Sequence, residues 1–277
     1  MDYARKIDFA LNLLRSIPQE DGPIEVSYSG GKDSDVILEL AKMAGIPFDA
    51  IYKQTTIDPP GTTKHAKEMG ATIIRPDKTF LQLVEDYGLP TRFRRHCCSH
   101  LKEYKIRERA IQGIRRSEST KRAERYHEPE ICRTYAGKEK VRVYLPILEW
   151  TDEDVARFIK ERGIKCHPLY YDEDGTFHPE RRLGCICCPM ASRKKMLEEY
   201  KRFPRFLQAE VKALQKNRDA HPDWSATVRF HNAYNQMFYH LFCDNMEEYD
   251  ARVNGGMFPD NAIDTKQFLS NYFNVTL

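Results

Sequence analysis

Ile24-Glu25-Val26-Ser27-Tyr28-Ser29-Gly30-Gly31-Lys32-Asp33-Ser34 is the stretch whose reading decides the fold. Ile24–Tyr28 reads as a buried strand. Two glycines then carry the chain into a helix over 35–44, where Val36, Ile37, Leu40 and Met43 recur at helical spacing. Gly45 stands where a helix commonly ends in a left-handed residue. Further along, 48–52 and 71–74 read as strands, 62–69 as a short helix, and 79–87 as a helix closing on Gly88. Strand and helix alternate with short links, so the predicted class is α/β, a parallel twisted sheet flanked by helices. Right-handed crossovers then put the glycine loop at the carboxyl ends of the strands, where such sheets bind ligands.

The loop has the chemistry of an anion site. Gly30 and Gly31 let backbone amides come close to an anion, and the following helix aims its first amides and positive dipole end at the same point. Lys32 adds a mobile charge, and Ser29 and Ser34 add hydroxyl donors. Hydrogen bonds to charged groups contribute about 1.5–3 kcal/mol each, so several convergent ones give substantial affinity. A carboxylate beside a phosphate repels it unless a cation intervenes, which makes Asp33 a candidate Mg²⁺ partner. The spacing is not that of a Walker loop, which has four residues between its first glycine and Gly-Lys.

Beyond this core the pattern predicts an amphipathic helix at the start, with Ile7, Ala10, Leu11, Leu14 and Ile17 on one face. A basic helix is expected over 99–111, strands over 131–135 and 141–145, and a helix over 151–162 that Thr151 and Asp154 cap. Helices are expected over 192–215 and 226–242, giving a main domain over 1–190 and a helical C-terminal region over 191–277. Apolar residues make up 41% and charged residues 31% of the 277, enough to build a soluble core. No run is long and apolar enough for a membrane span, and the charged start lacks the apolar block of a signal peptide, so a cytoplasmic location is expected.

Net charge is only +3, yet the segment from Arg92 to Arg125 holds 12 Lys or Arg against 4 Asp or Glu. That excess suits a polyanion, either nucleotide phosphates or a nucleic-acid backbone. Eight cysteines in a reducing compartment call for another explanation than disulfides. Cys97 and Cys98 are adjacent, and Cys185, Cys187 and Cys188 are clustered, whereas Cys132, Cys166 and Cys243 read as small buried apolar residues. Four thiolates suit zinc or an iron–sulfur cluster, and an adjacent pair is awkward for one tetrahedral zinc.

The motif Ser29–Ser34 resembles the PP-loop of the ATP pyrophosphatases, which cleave ATP between its α and β phosphates. Cys97, Cys98, Cys185 and Cys188 resemble the cluster ligands of the phosphoadenylyl- and adenylyl-sulfate (PAPS/APS) reductase family. Gly113-Ile114-Arg115-Arg116-Ser117-Glu118-Ser119, with Arg122 beyond it, resembles that family's arginine motif for phosphate or sulfate. Leu148 to Val155 resembles the segment that starts a helix bordering the site, and Thr55 to Pro60 is similar to phage and bacterial members. The resemblance covers roughly 24–190 and implies an adenine-nucleotide α-hydrolase-like, Rossmann-like fold.

The resemblance implies ATP (or PAPS/APS) as nucleotide, with Mg²⁺ and a 4Fe–4S cluster as cofactors. Ser29, Gly30, Gly31, Lys32, Asp33, Ser34, Arg115, Ser119 and Arg122 would hold the nucleotide. Lys32, Asp33, Arg115, Arg116 and Cys187 are the catalytic candidates, with Cys187 equally readable as a filler beside the cluster. Reductases of the family attack with a cysteine near the C-terminus, and residues 271–277 contain none, while the loop that many of them have degraded is intact here. Both departures favour adenylation of an acceptor, with sulfur transfer that could extend to nucleic acid. A thiol-dependent PAPS/APS reductase releasing sulfite is the second expectation, and a nucleotide- or nucleic-acid-binding module with structural metal is the third. The partners implied are a sulfur donor or thiol-reductant protein, no membrane, and a second copy of the chain in a homo-oligomer.

Overall fold

The computed structural model describes residues 2–135, 138–255 and 262–277. Its first elements are α1 (Tyr3–Arg15), β1 (Ile24–Tyr28), α2 (Lys32–Ala44), β2 (Phe48–Lys53), α3 (Thr62–Glu68), β3 (Thr72–Ile74) and α4 (Phe80–Tyr87). Next come α5 (His96–Leu101), β4 (Arg109–Ile111), α6 (Thr120–Arg125), β5 (Glu130–Tyr135), β6 (Lys138–Tyr144) and α7 (Asp152–Arg162). The C-terminal part is helical: α8 (Arg193–Arg202), α9 (Pro204–Ala220), α10 (Ser225–Arg229), α11 (Ala233–Phe242), α12 (Met246–Val253) and α13 (Thr265–Phe273).

The chain divides into two compact units. One comprises Met1–Asp77 and Cys98–Cys185, the other Lys78–Cys97 and Ile186–Leu277. The observed division at Cys185 and Ile186 lies close to residue 190, but the second unit also takes in 78–97. Phe80 packs on Phe206 with ring centroids 5.8 Å apart, and Asn217 donates to the Glu85 carbonyl at 2.8 Å, so α4 belongs with α9.

In the first unit a six-stranded sheet runs in the order β3-β2-β1-β4-β6-β5. Five strands are parallel, and β5 closes the edge antiparallel to β6, which modifies the all-parallel expectation. The chain builds β2 and β3 on one side of β1 and β4 on the other, so the loop after β1 opens at the point where strand order reverses. Val26, Val36, Ile37, Leu40, Ile111 and Val155 are buried between sheet and helices. Trp150 is buried too, against Tyr3 and edge-on to Phe158, which settles it as a core residue. The expected capping box forms: Thr151 and Asp154 exchange side-chain and backbone hydrogen bonds, and Gly163 ends α7 in the left-handed region.

Four expectations need correction. The basic helix over 99–111 stops at Leu101, because Arg109–Ile111 pairs with β1 and β6 and buries Ala110 and Ile111. Local charge spacing favoured helix, and two neighbouring strands override it. The helix over 192–215 is two helices, since Pro204 opens a new one at its first turn. The helix over 226–242 is likewise broken between Arg229 and Ala233. Cys132 is exposed on edge strand β5, whereas Cys166 and Cys243 are buried as expected.

In the second unit His240 on α11 is held neutral by burial and by the neighbouring Arg193, which lower its pKa to about 4. An unfolded histidine titrates near 6.5, so between these values the unfolded state binds more protons and stability is lost as the pH is lowered. We predict that His240→Gln flattens the acid limb of the stability curve by on the order of 2 kcal/mol. Urea unfolding of both proteins between about pH 7 and about pH 4.5 measures it; parallel curves would remove His240 from the account.

Candidate functional site

The glycine loop is shaped by close approaches that leave no room for side chains. Gly30 has φ +78°, and a Cβ there would lie 2.8 Å from the Thr62 methyl. A Cβ on Gly113, just past β4, would lie 2.8 Å from the Asp33 carbonyl, so glycine at 113 lets the two backbones touch. Beneath the loop the Tyr28 hydroxyl donates to Asp35, and His65 Nε2 lies 3.1 Å from the same carboxylate, which joins β1, α2 and α3. Burial raises the Asp35 and Tyr28 pKa values, Asp35 adding to the effect on Tyr28.

Lys32 is 2% exposed. Its Nζ donates to Asp33 Oδ2 at 3.3 Å and to the Arg181 carbonyl at 3.4 Å, and its backbone amide donates to the Tyr170 hydroxyl at 3.2 Å. Tyr170 also accepts from the Leu183 amide at 3.2 Å, so the segment 170–183 is pinned over the loop. Burial raises the Tyr170 pKa to about 12, which keeps the phenol protonated at neutral pH. Ser34 Oγ donates to the Gly31 carbonyl at 2.7 Å, while Ser29 Oγ accepts from the Gly31 amide at 3.4 Å.

The arginine motif divides its labour. Arg115 is 1% exposed, and its guanidinium donates to Asp33 Oδ1 and Asp152 Oδ1, each at 2.7 Å, and to Ser117 at 2.9 Å. With Lys32 on its other oxygen, Asp33 is answered by two protein cations where the sequence suggested Mg²⁺. Arg116 faces Glu149 at 3.0 Å, and the Ser119 hydroxyl caps α6 by accepting from the Arg122 amide at 3.3 Å. Neither arrangement aims the side chain at a ligand.

Arg122 is the member that reaches open space. It lines a cavity of about 410 Å³ together with Ser29 of the loop, Lys53, Lys102 and Arg133. Tyr126 and Tyr135 form an aromatic wall, and Arg133 lies 4.8 Å from the Tyr135 ring centroid. Lys53 is neutralised by the buried Glu25 at 3.1 Å, and Asp58, which also lines the cavity, accepts from the Thr55 amide and hydroxyl at 2.7 and 2.8 Å. Burial and the neighbouring Arg182 lower the pKa of Arg122. Glu118 bridges this cationic pair: one carboxylate oxygen contacts Arg122 and the other accepts from Arg182 at 2.7 Å. Sequence reasoning missed Tyr170, Arg182, Arg133 and the role of Glu118; Arg182 sits three residues before Cys185, and no local pattern distinguished it from a surface charge.

The cysteine positions are shared between the units. Cys98 and Cys185 fall in the first, and Cys185 lies 3.6 Å from the Thr55 hydroxyl. Cys97, Cys187 and Cys188 fall in the second. Cys187 is buried with φ +52°, its amide donating to Glu199 at 2.6 Å; burial, Glu210 and Glu199 push its thiol pKa up. That disfavours the thiolate a nucleophile needs. Among the described residues no three His, Cys, Asp or Glu side chains are gathered as a metal site. No helix among them is long and apolar enough to cross a membrane.

A mostly parallel sheet with a glycine loop at its reversal point and a cavity lined by charged residues beside it defines an α/β protein with a candidate anion site. The chain belongs to the phosphoadenosine phosphosulfate reductase domain family, whose model matches residues 23–191. Its curated relatives include an uncharacterized protein of Methanocaldococcus jannaschii, 29% identical over 79% of this chain and 47% of that protein. Sulfate adenylyltransferase subunit 2 of a Shewanella species is 29% identical over 58% of this chain and 65% of that protein. The chain thus spans about half the length of the first of these relatives. Among solved structures, a PAPS reductase from Candida auris matches 64% of this chain and 87% of its own at 15% identity and TM-score 0.44. A U34-tRNA thiolase from Methanococcus maripaludis matches 80% and 82% at 14% identity and TM-score 0.40.

Glu118 stands between Arg122 and Arg182, two cations whose charge would otherwise be open to an anion. Glu118→Gln keeps an oxygen for the Arg115 amide, which donates to Glu118 at 3.4 Å, but removes the competing charge. We predict that it tightens binding of inorganic phosphate and of ATP about tenfold, the size of one charge-assisted contact. Isothermal titration reads this, and unchanged or weaker affinity would show that the carboxylate is purely structural.

Proposed function

We propose that this chain binds ATP at the Ser29–Ser34 loop, cleaves it between the α and β phosphates, and transfers AMP to an acceptor oxygen. Pyrophosphate leaves, and a sulfur nucleophile then displaces AMP from the activated position. The observation that carries this reading is the intact loop, opening at the sheet's reversal point beside a cavity whose wall includes Arg122, Arg133, Tyr126 and Tyr135.

The residues take distinct parts. Lys32 exchanges Asp33 and the Arg181 carbonyl for β and γ phosphate oxygens, joined by the first amides of α2. Asp33 Oδ2 would then be the oxygen to hold a Mg²⁺ accompanying the nucleotide, while Oδ1 stays on Arg115. Arg115 holds Asp33 and the α7 start in place, which makes it a positioning residue, while Arg122 answers charge growing on the α phosphate. Tyr126 and Tyr135 offer a flat aromatic wall to the base. Tyr170 and Leu183 cover the loop and exclude water from it.

Cys97, Cys98, Cys185 and Cys188 have the donor chemistry for a 4Fe–4S cluster, which would supply sulfur or electrons to the acceptor when bound. Anaerobically purified protein is expected to contain iron and acid-labile sulfide, both lost in Cys98→Ser with the fold retained by circular dichroism. Metal-free protein with a normal cavity would remove the cluster and leave the nucleotide reading standing.

Lys32→Ala is expected to reduce ATP affinity and to lower pyrophosphate release in the presence of acceptor by at least about 100-fold, as loss of a phosphate-neutralising charge in a buried site does. The assay is pyrophosphate release with tRNA, single-stranded DNA and small thiol-accepting nucleosides as acceptors. Sulfite from PAPS with a thiol reductant, and no pyrophosphate from ATP, would move the assignment to a reductase.

A further inference from the structure

Phe93 is 99% exposed, although it is one of the largest apolar side chains in the protein. It stands in the sequence Arg92-Phe93-Arg94-Arg95 of the second unit, three residues before His96 and four before Cys97. The loop that carries it is built, not frayed. The Thr91 hydroxyl accepts from the Phe93 and Arg94 amides at 3.3 and 3.1 Å, and the Thr91 amide donates to the Arg94 carbonyl at 3.1 Å. Arg94 anchors the turn to the Tyr87 carbonyl at the end of α4, and Arg92 anchors it to the Ala191 carbonyl at 3.0 Å. That second anchor sets the loop beside Met190, which is 42% exposed.

Arg92, Arg94 and Arg95 are all exposed, and among the described residues none of them forms an ion pair. A hydrogen-bonded turn thus presents a bare aromatic ring flanked in sequence by three exposed arginines that form no ion pair among the described residues. An apolar protein surface could cover Phe93 only by burying those charges unpaired, which is costly. A bilayer would gain one full side chain and part of another, too little for stable insertion. Duplex DNA or RNA hides its base faces in the stack, whereas an unpaired strand offers an exposed base with a phosphate on either side.

We propose that the Thr91–Arg95 turn docks single-stranded nucleic acid, with Phe93 stacking on an unpaired base and Arg92, Arg94 and Arg95 contacting the flanking phosphates. This rests on the proposed adenylation reading only for what the strand is brought in to do. It names the acceptor class as a strand with at least one unstacked base. The turn's own hydrogen bonds mean that little ordering is required when the strand binds.

The test is fluorescence anisotropy of the full chain with labelled strands of about twelve nucleotides, as RNA, as DNA and as DNA duplex. Single strands are expected to bind more tightly than duplex, and the RNA and DNA arms decide which sugar the site prefers. Phe93→Ala is expected to weaken single-strand binding about 5- to 100-fold, while Phe93→Trp retains it. Arg94→Gln and Arg95→Gln are each expected to weaken binding and to flatten the salt dependence by about 0.7 in log–log slope. ATP affinity should be the same in Phe93→Ala as in the parent, so a parent that binds strands but not ATP would sink the adenylation reading alone. Strand binding indifferent to Phe93 overturns the proposal. So does a Phe93-dependent self-association by sedimentation, or Phe93-dependent binding to phosphatidylserine vesicles, without strand binding.

Discussion

An arginine with almost no access to water must have its charge answered inside the protein, and Arg115 is answered by Asp33 and Asp152. Three separate pieces of chain meet there: the loop after β1, the turn after β4, and the start of α7. Gly113 makes the meeting feasible by letting its backbone touch that of Asp33. Breaking a buried charge pair from one side typically costs about 3–5 kcal/mol, because the other charge is stranded. The loop's geometry therefore depends on an ion pair some eighty residues apart in sequence, and the rest of the site is arranged around it.

That constraint explains why the cations near the loop are not interchangeable. Arg115 is turned inward onto Asp33, Asp152 and Ser117, whereas Arg122 faces the cavity and shares Glu118 with Arg182. Lys32 lies between these cases, paired with Asp33 and a carbonyl that a phosphate could replace. Each of these three cations thus has an acidic partner within the protein itself. Such internal neutralisation stabilises the fold, weakens ligand binding by the same interaction, and makes the two separable by conservative substitutions.

The second unit follows a different logic. Its helices are held by aromatic packing, with Tyr200, Phe206 and Phe273 joined through Phe242 to Phe238 and Phe268. Against that burial of aromatic rings Phe93 is an exception, although its turn is hydrogen-bonded to Thr91 and to the end of α4. An exposed ring on a rigid support is a feature that packing alone does not account for.

Much of the architecture was legible because it is local. Glycines at 30, 45 and 163 take positive φ where strand–loop–helix and helix ends demanded it, and the Thr151 capping box is a four-residue pattern. The parallel core followed from alternation and short links. Tertiary structure decided what depends on partners distant in sequence. Arg109–Ile111 became a strand because β1 and β6 offered it hydrogen bonds on both sides, against a charge pattern that favoured helix. Arg115 and Arg122 look alike in the sequence, and only burial against Asp33 and Asp152 separated the positioning arginine from the cavity one. Phe93 reads as any apolar residue until the turn leaves its ring in water. A side chain's type is written in the sequence, but what it touches is set by chain segments that sequence proximity does not bring together.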